Sequence, residues 1–193
     1  MIWMIRNGPQ IIINNDNLEL YLKHVDQLFD ISNIINAPQG KQQIVKYYTK
    51  NKLPNRLAFN REGFIHCGIS YDGKHKNDDF KEQARIVEKY VRYRNARNVL
   101  ELGCGMGTNS AFLAKRNPGV IFKRVDLSHK PLRRYTKIPN LHSQLGDYHD
   151  LSAFEDDAYD IGFIIDALCY STDKLQAFHD LKRQLKRTSF LSL

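Results

Sequence analysis

The stretch Val99-Leu100-Glu101-Leu102-Gly103-Cys104-Gly105-Met106-Gly107 decides how this chain is read, because a short apolar strand runs straight into three alternating glycines and then a helix-forming segment. Glycines so spaced allow positive φ angles and close approach of a ligand to the backbone, and the helix that follows presents unpaired N–H groups at its start. Such a turn can cradle a nucleotide. A dinucleotide fingerprint of G-x-G-x-x-G type needs a third glycine where Thr108 stands, and it gives no reason for an acid two residues before the first glycine. Here that acid is Glu101.

Three further acids stand at the ends of later strand-like runs. Val120 to Val125 is β-prone, follows the helix-stopping pair Pro118-Gly119, and ends in Asp126 and Leu127. A carboxylate there has two oxygens for two cis hydroxyls of a ribose, and charge-assisted bonds of this kind are short and strong. Leu141 to Gly146 reads as a third strand ending in Asp147-Tyr148, where an acid can accept an exocyclic amine. Tyr159 to Asp166 is an acid-led apolar run of the sort expected of a strand buried on both faces. In open α/β sheets ligands lie beyond the carboxyl ends of the strands, where all four acids stand. Each acid taken alone also suits a helix cap or a turn; their order and spacing favour a ligand site.

In that order, ELGCGMG, VDLS, GDYHDL and FEDDAYDIGFIIDAL resemble the successive motifs of class I methyltransferases that use S-adenosylmethionine (SAM), over roughly residues 77 to 187. Gly63 to Gly68 and Asp166 to Tyr170 are more loosely similar to segments of the sterol, tocopherol and cyclopropane group of small-molecule methyltransferases. The resemblance implies a Rossmann-like α/β fold with helices on both faces of a parallel sheet, SAM as cofactor, and a small-molecule methyl acceptor. It also implies that Glu101, Gly103, Cys104 and Gly105 face the methionine end of the cofactor. Asp126 with Leu127 would face the ribose and Asp147 with Tyr148 the adenine, and Asp166, at the border of the reacting centre, would also bind the cofactor.

Composition agrees with one ordinary domain and an appendage: 193 residues, 42% hydrophobic and 26% charged. Cys67, Cys104 and Cys169 are far apart with no C-x-x-C pairing, so a disulfide framework and a metal site are not expected. Met1 to Pro9 lacks a basic n-region and an adequate apolar core for a secretory signal, and the apolar runs fall short of the ~20 residues that span a bilayer. A cytoplasmic protein is expected.

Residues 1–76 read as an N-terminal helical lid or substrate region, and 77–193 as the SAM-binding domain. One helix is predicted from Asn15 or Asp16 with Leu18, Leu22, Val25 and Phe29 on one face. A second is predicted from Gln42 to Lys50, stopping before Pro54, and a third capped by Asn77 or Asp78 and carrying Ala84, Val87 and Val91. Methyltransferases of this class continue after the last helix with a Lys-Pro-Gly-Gly turn and three more strands, so the resemblance implies a sheet truncated after the fourth strand and its helix. Thr188 to Leu193 would patch the open edge, or a second copy would cover it by self-association.

The expected chemistry is displacement at a sulfonium methyl carbon, which rests mainly on proximity and orientation. Asp166, His66 and Tyr170 are candidates for a base by position. The net charge of +8 supports a second reading, an RNA methyltransferase or binder, through Lys123, Arg124, Lys130, Arg133, Arg134 and Lys137. A truncated, non-catalytic SAM-binding module is a third.

Overall fold

Residues 15–37, 40–58, 60–128 and 132–192 are described by the structure, a computed structural model. The Met1 to Pro9 stretch and Lys130 lie outside the described residues. The chain divides into two units, Met1–Gln39 and Gly40–Leu193. In the first, α1 (Asn15–Phe29) forms where the apolar spacing predicts it, and the short α2 (Ile31–Ile35) follows a turn in which the Asp30 carboxylate accepts Asn33 N–H at 3.1 Å.

The second unit opens with α3 (Lys41–Ala58), which runs straight through Pro54. The prediction that the helix stops there is corrected. Proline's locked φ is itself helical, so only one hydrogen bond and the contact with the preceding turn are sacrificed, at a cost of roughly 3 kcal/mol. An irregular strap, residues 60–76, leads to a 3₁₀ turn (Asn77–Lys81) and α4 (Glu82–Tyr93). The side-chain bond at the start of this turn comes from Asp79, whose carboxylate accepts Lys76 N–H at 2.8 Å, and not from Asn77 or Asp78.

A parallel sheet then alternates with helices: β1 (Asn98–Leu102), α5 (Thr108–Arg116), β2 (Ile121–Asp126), β3 (Leu141–Leu145), β4 (Tyr159–Ile164), α6 (Lys174–Gln184) and β5 (Leu185–Ser192). The strand order is β3-β2-β1-β4-β5, all neighbours parallel. This is the Rossmann-like arrangement expected. β5 makes it a sheet of five strands rather than four: the chain from Leu185 pairs with β4, Ile161 opposite Phe190 and Phe163 opposite Ser192, with a register shift near Tyr159. The edge expected to stand open on β4 is covered by the chain itself.

Each face of the sheet carries its own core. Val87 and Val91 of α4 and Ala111, Leu113 and Ala114 of α5 pack against Val99, Phe122 and Ile161 on one face. On the other, Leu151, Phe154, Ala177 and Leu181 pack against Leu100, Leu102, Val125 and Ile164. Glu88 joins α4 to α5, accepting from Arg92 at 2.9 Å, Arg116 at 3.1 Å and Asn117 at 3.2 Å. Asp160 joins strands: its Oδ2 accepts Arg97 and Asn98 N–H, both at 2.8 Å, and its Oδ1 accepts Lys186 Nζ at 2.6 Å. No helix among the described residues is long and apolar enough to cross a membrane.

Candidate functional site

Strand order alone locates the crevice. From β1 the chain builds outward through β2 and β3, then returns to place β4 on the other side of β1, and ligands in such sheets bind outside the carboxyl ends where the order reverses. At that point the turn after β1 is a cradle. Gly103, Gly105 and Gly107 have φ of +65°, +50° and +69°. A Cβ on Gly107 would meet Arg124 Nη1 at 1.7 Å, so neither the conformation nor the space admits a side chain.

Arg124 braces the cradle from beneath. Its guanidinium is wholly buried beneath the loop and donates to the carbonyls of Gly107 and Leu132, each at 3.2 Å, to the Arg134 carbonyl, and to Ser143 Oγ at 2.8 Å. Read from sequence as part of a basic cluster for phosphates, Arg124 is an internal strut. Lys123 lies over the Phe154 ring at 4.4 Å.

Above the cradle is a cavity of about 310 Å³. Of the residues picked out from the sequence, Glu101, Gly103, Cys104, Gly105, Asp126, Leu127, Tyr148 and Asp166 line it, as do His66 and Tyr170. Asp147 is not on its wall. The Asp147 carboxylate pairs with Lys41 and accepts from His149, at 2.9 Å from the backbone N–H and 2.8 Å from Nδ1, while His149 Nε2 meets Ser171 Oγ at 2.7 Å. Sequence reading did not pair these residues.

Two acids dominate the electrostatics. Glu101 is 2% exposed and its Oε2 has no hydrogen-bond partner among the described residues. Burial pushes its carboxyl up to about 8 against the opposing pull of Arg124. Asp126 is also raised by burial, although its oxygens accept Gly105 N–H at 2.8 Å and Ser128 N–H at 3.0 Å. It therefore ties the glycine turn to the end of β2. Burial also pushes the Cys104 thiol up, so it is no thiolate nucleophile.

The remaining wall comes from outside the sheet. Ile44, Val45, Tyr48 and Thr49 of α3 line the cavity, a contribution the sequence suggested only as an apolar helix face. The strap is pinned over the glycine turn at four points. Thr108 Oγ1 donates to the Gly63 carbonyl at 2.8 Å, and His66 Nε2 meets Asn109 Oδ1 at 3.1 Å. Asp166 Oδ2 accepts Cys67 N–H at 3.0 Å, and Gln83 Nε2 donates to the Cys67 carbonyl at 2.7 Å. Asp166 itself sits at φ +48°, a strained conformation for a residue other than glycine. A lone sequence gives no signal for the Asp166 to Cys67 bond, because the residues are 99 positions apart.

Comparison with known proteins adds to this geometry. Residues 100–193 match a family model described as a methyltransferase domain. Among solved structures, a protein from Galdieria sulphuraria described as a sarcosine dimethylglycine methyltransferase is 23% identical, with a TM-score of 0.56 over 63% of this chain and 51% of its own. The cyclase SpnF is 20% identical, with a TM-score of 0.67 over 77% of this chain and 57% of its own. The chain thus spans little more than half the length of these structures. At such identities the likeness is one of fold, and neither structure is described as a sterol, tocopherol or cyclopropane enzyme. No curated protein sequence matches the chain.

Proposed function

We propose that this chain, whose residues 100–193 match a methyltransferase domain, holds SAM in the cavity above the glycine turn and transfers its methyl group to a small-molecule acceptor. The observation that carries the reading is the buried Glu101 Oε2, unpartnered among the described residues, beside a cradle whose three glycines all hold positive φ. A buried acceptor without a donor costs free energy unless a ligand supplies one, and the amino group of a methionine moiety is such a donor. A Cβ on Gly103 would meet Ala167 Cβ at 2.6 Å, and one on Gly105 would meet Ile65 Cδ1 at 3.1 Å, so side chains at these positions would crowd the wall of the cavity.

SAM supplies an electrophilic methyl group on a sulfonium sulfur. The chain's part is to bind, orient and exclude water. Glu101 with Gly103, Cys104 and Gly105 would hold the amino-acid end, Asp126 and Leu127 the ribose, and Tyr148 the adenine, with Asp147 behind it. Asp166 and the strap would border the acceptor. The fold alone does not assign the reaction, as the likeness to a cyclase illustrates.

A small acceptor is favoured over RNA by the walling of the cavity with α3 and the strap, and by the burial of Arg124, which removes a central member of the basic cluster. The test is calorimetric titration with SAM, S-adenosylhomocysteine (SAH) and NAD. Micromolar binding of the first two and none of NAD is expected, with Asp126→Ala weakening SAM at least tenfold. Equal binding of NAD, or an unaffected Asp126→Ala variant, would refute the assignment. Tight, steeply salt-dependent binding of mixed RNA would favour the nucleic-acid reading instead.

A further inference from the structure

A second chamber of about 420 Å³ adjoins the first and shares Tyr48, Ile65, His66, Asp166 and Tyr170 with it. Two aromatic rings and a carboxylate give its chemistry. The Tyr48 and Tyr170 rings meet edge to face, with centroids 5.6 Å apart and planes at 78°. Asp166 is exposed, with Oδ2 committed to Cys67 N–H, which leaves Oδ1 for a ligand. Ile65, Ile164 and Leu168 supply the apolar part of the wall, and His66, Cys67 and Cys169 complete it.

Faces of electron-rich rings beside a carboxylate select cations, and above all alkylammonium groups, whose charge is spread over methyls that pack against the rings. We propose that this chamber is an acceptor site for a secondary or tertiary alkylamine, with Tyr48 and Tyr170 supplying ring faces and Asp166 the balancing charge.

The assignment rests on SAM occupying the neighbouring chamber. The amine enters with its nitrogen lone pair free, having left its proton with water or the Asp166 carboxylate. That lone pair forms the new N–CH3 bond as the CH3–S bond breaks, and the bonding pair stays on sulfur, turning sulfonium to thioether. Positive charge passes from sulfur to nitrogen. A secondary amine then loses its remaining N–H proton to water, whereas a tertiary amine ends as a quaternary ammonium. The cation so formed lies where the rings and Asp166 stabilise it, so charge moves towards these groups during transfer.

The probe is choline, set against its neutral isostere 3,3-dimethylbutan-1-ol, each titrated by calorimetry into the full chain with and without saturating SAH. Choline is expected to bind at least tenfold more tightly than the isostere. Tyr48→Phe, which keeps a ring face, should retain this preference, while Tyr48→Leu and Asp166→Asn should each reduce choline affinity about tenfold. Tyr170 is 39% exposed, so Tyr170→Leu repeats the test at a position that tolerates change should the Tyr48 variant not fold. Equal affinity for the two probes, no binding of either, or indifference to both leucine variants would overturn the proposal. Absence of SAH binding with choline preference intact would overturn the cofactor assignment alone.

Discussion

Glu101 shows how far one residue can be read and where reading stops. Its place two residues before Gly103 marks it as a ligand-facing acid from sequence alone, but its burial and its neighbour Arg124 depend on a strand partner 23 positions away. Because the folded carboxyl is raised to about 8, it is mostly protonated in the native protein at neutral pH and ionised in the unfolded chain. The stability that follows is fully present below the ordinary glutamate range and is lost as pH rises through about 8. Thermal melts should therefore show the wild type falling in stability between about pH 4.5 and 8 and Glu101→Gln nearly level over the same span. Parallel curves would show that Glu101 ionises normally. Arg124 marks the opposite limit. In sequence it is one basic residue among six, and only the loop carbonyls folded around it reveal an internal strut.

Among the elements, those with a strong period were legible: α1, β1 and β4 appear where spacing puts them, and α4 carries the predicted apolar face but starts at Glu82, beyond the expected caps. Two readings fail for local reasons. Pro54 stops most helices, yet its φ suits α3, and no one-dimensional rule weighs a single lost bond against seventeen neighbours in register. Residues 185–192 carry a mixed pattern that follows directly from α6, and their strand character comes from the bare edge of β4. The joint between α4 and α5 was not legible either. Burial alone would raise the Glu88 carboxyl, but bonds from Arg92, Arg116 and Asn117 outweigh it and hold it below the usual range. Glu88→Gln should cost roughly 2 kcal/mol at pH 7, read as a shift in denaturant midpoint with unchanged slope. A cost under ~0.5 kcal/mol would mean that the exposed arginines are bound too loosely to matter.

At the scale of the molecule, a node on β4 holds three strands together. Asp160 receives the amides at the start of β1 and the ammonium of Lys186 on β5. Burial would raise its carboxyl, but Lys186 and the two amides lower it on balance. Its stabilisation is therefore present above the ordinary aspartate range and lost as pH falls through the depressed folded value. Asp160→Ala should lower Tm at pH 7 by several degrees, with the gap from wild type narrowing towards pH 3. A gap that does not narrow would assign the loss to packing rather than charge. The strand order carries a consequence for time as well as for place. β1 is central, yet the Asn98 amide meets its partner carboxylate 62 residues along the chain. Contacts so remote in sequence form only after a long loop has closed, and sheets built from them fold over milliseconds to seconds rather than microseconds. Until β4 arrives, β1 waits with one side bare, and that interval is when the chain is most exposed to mispairing.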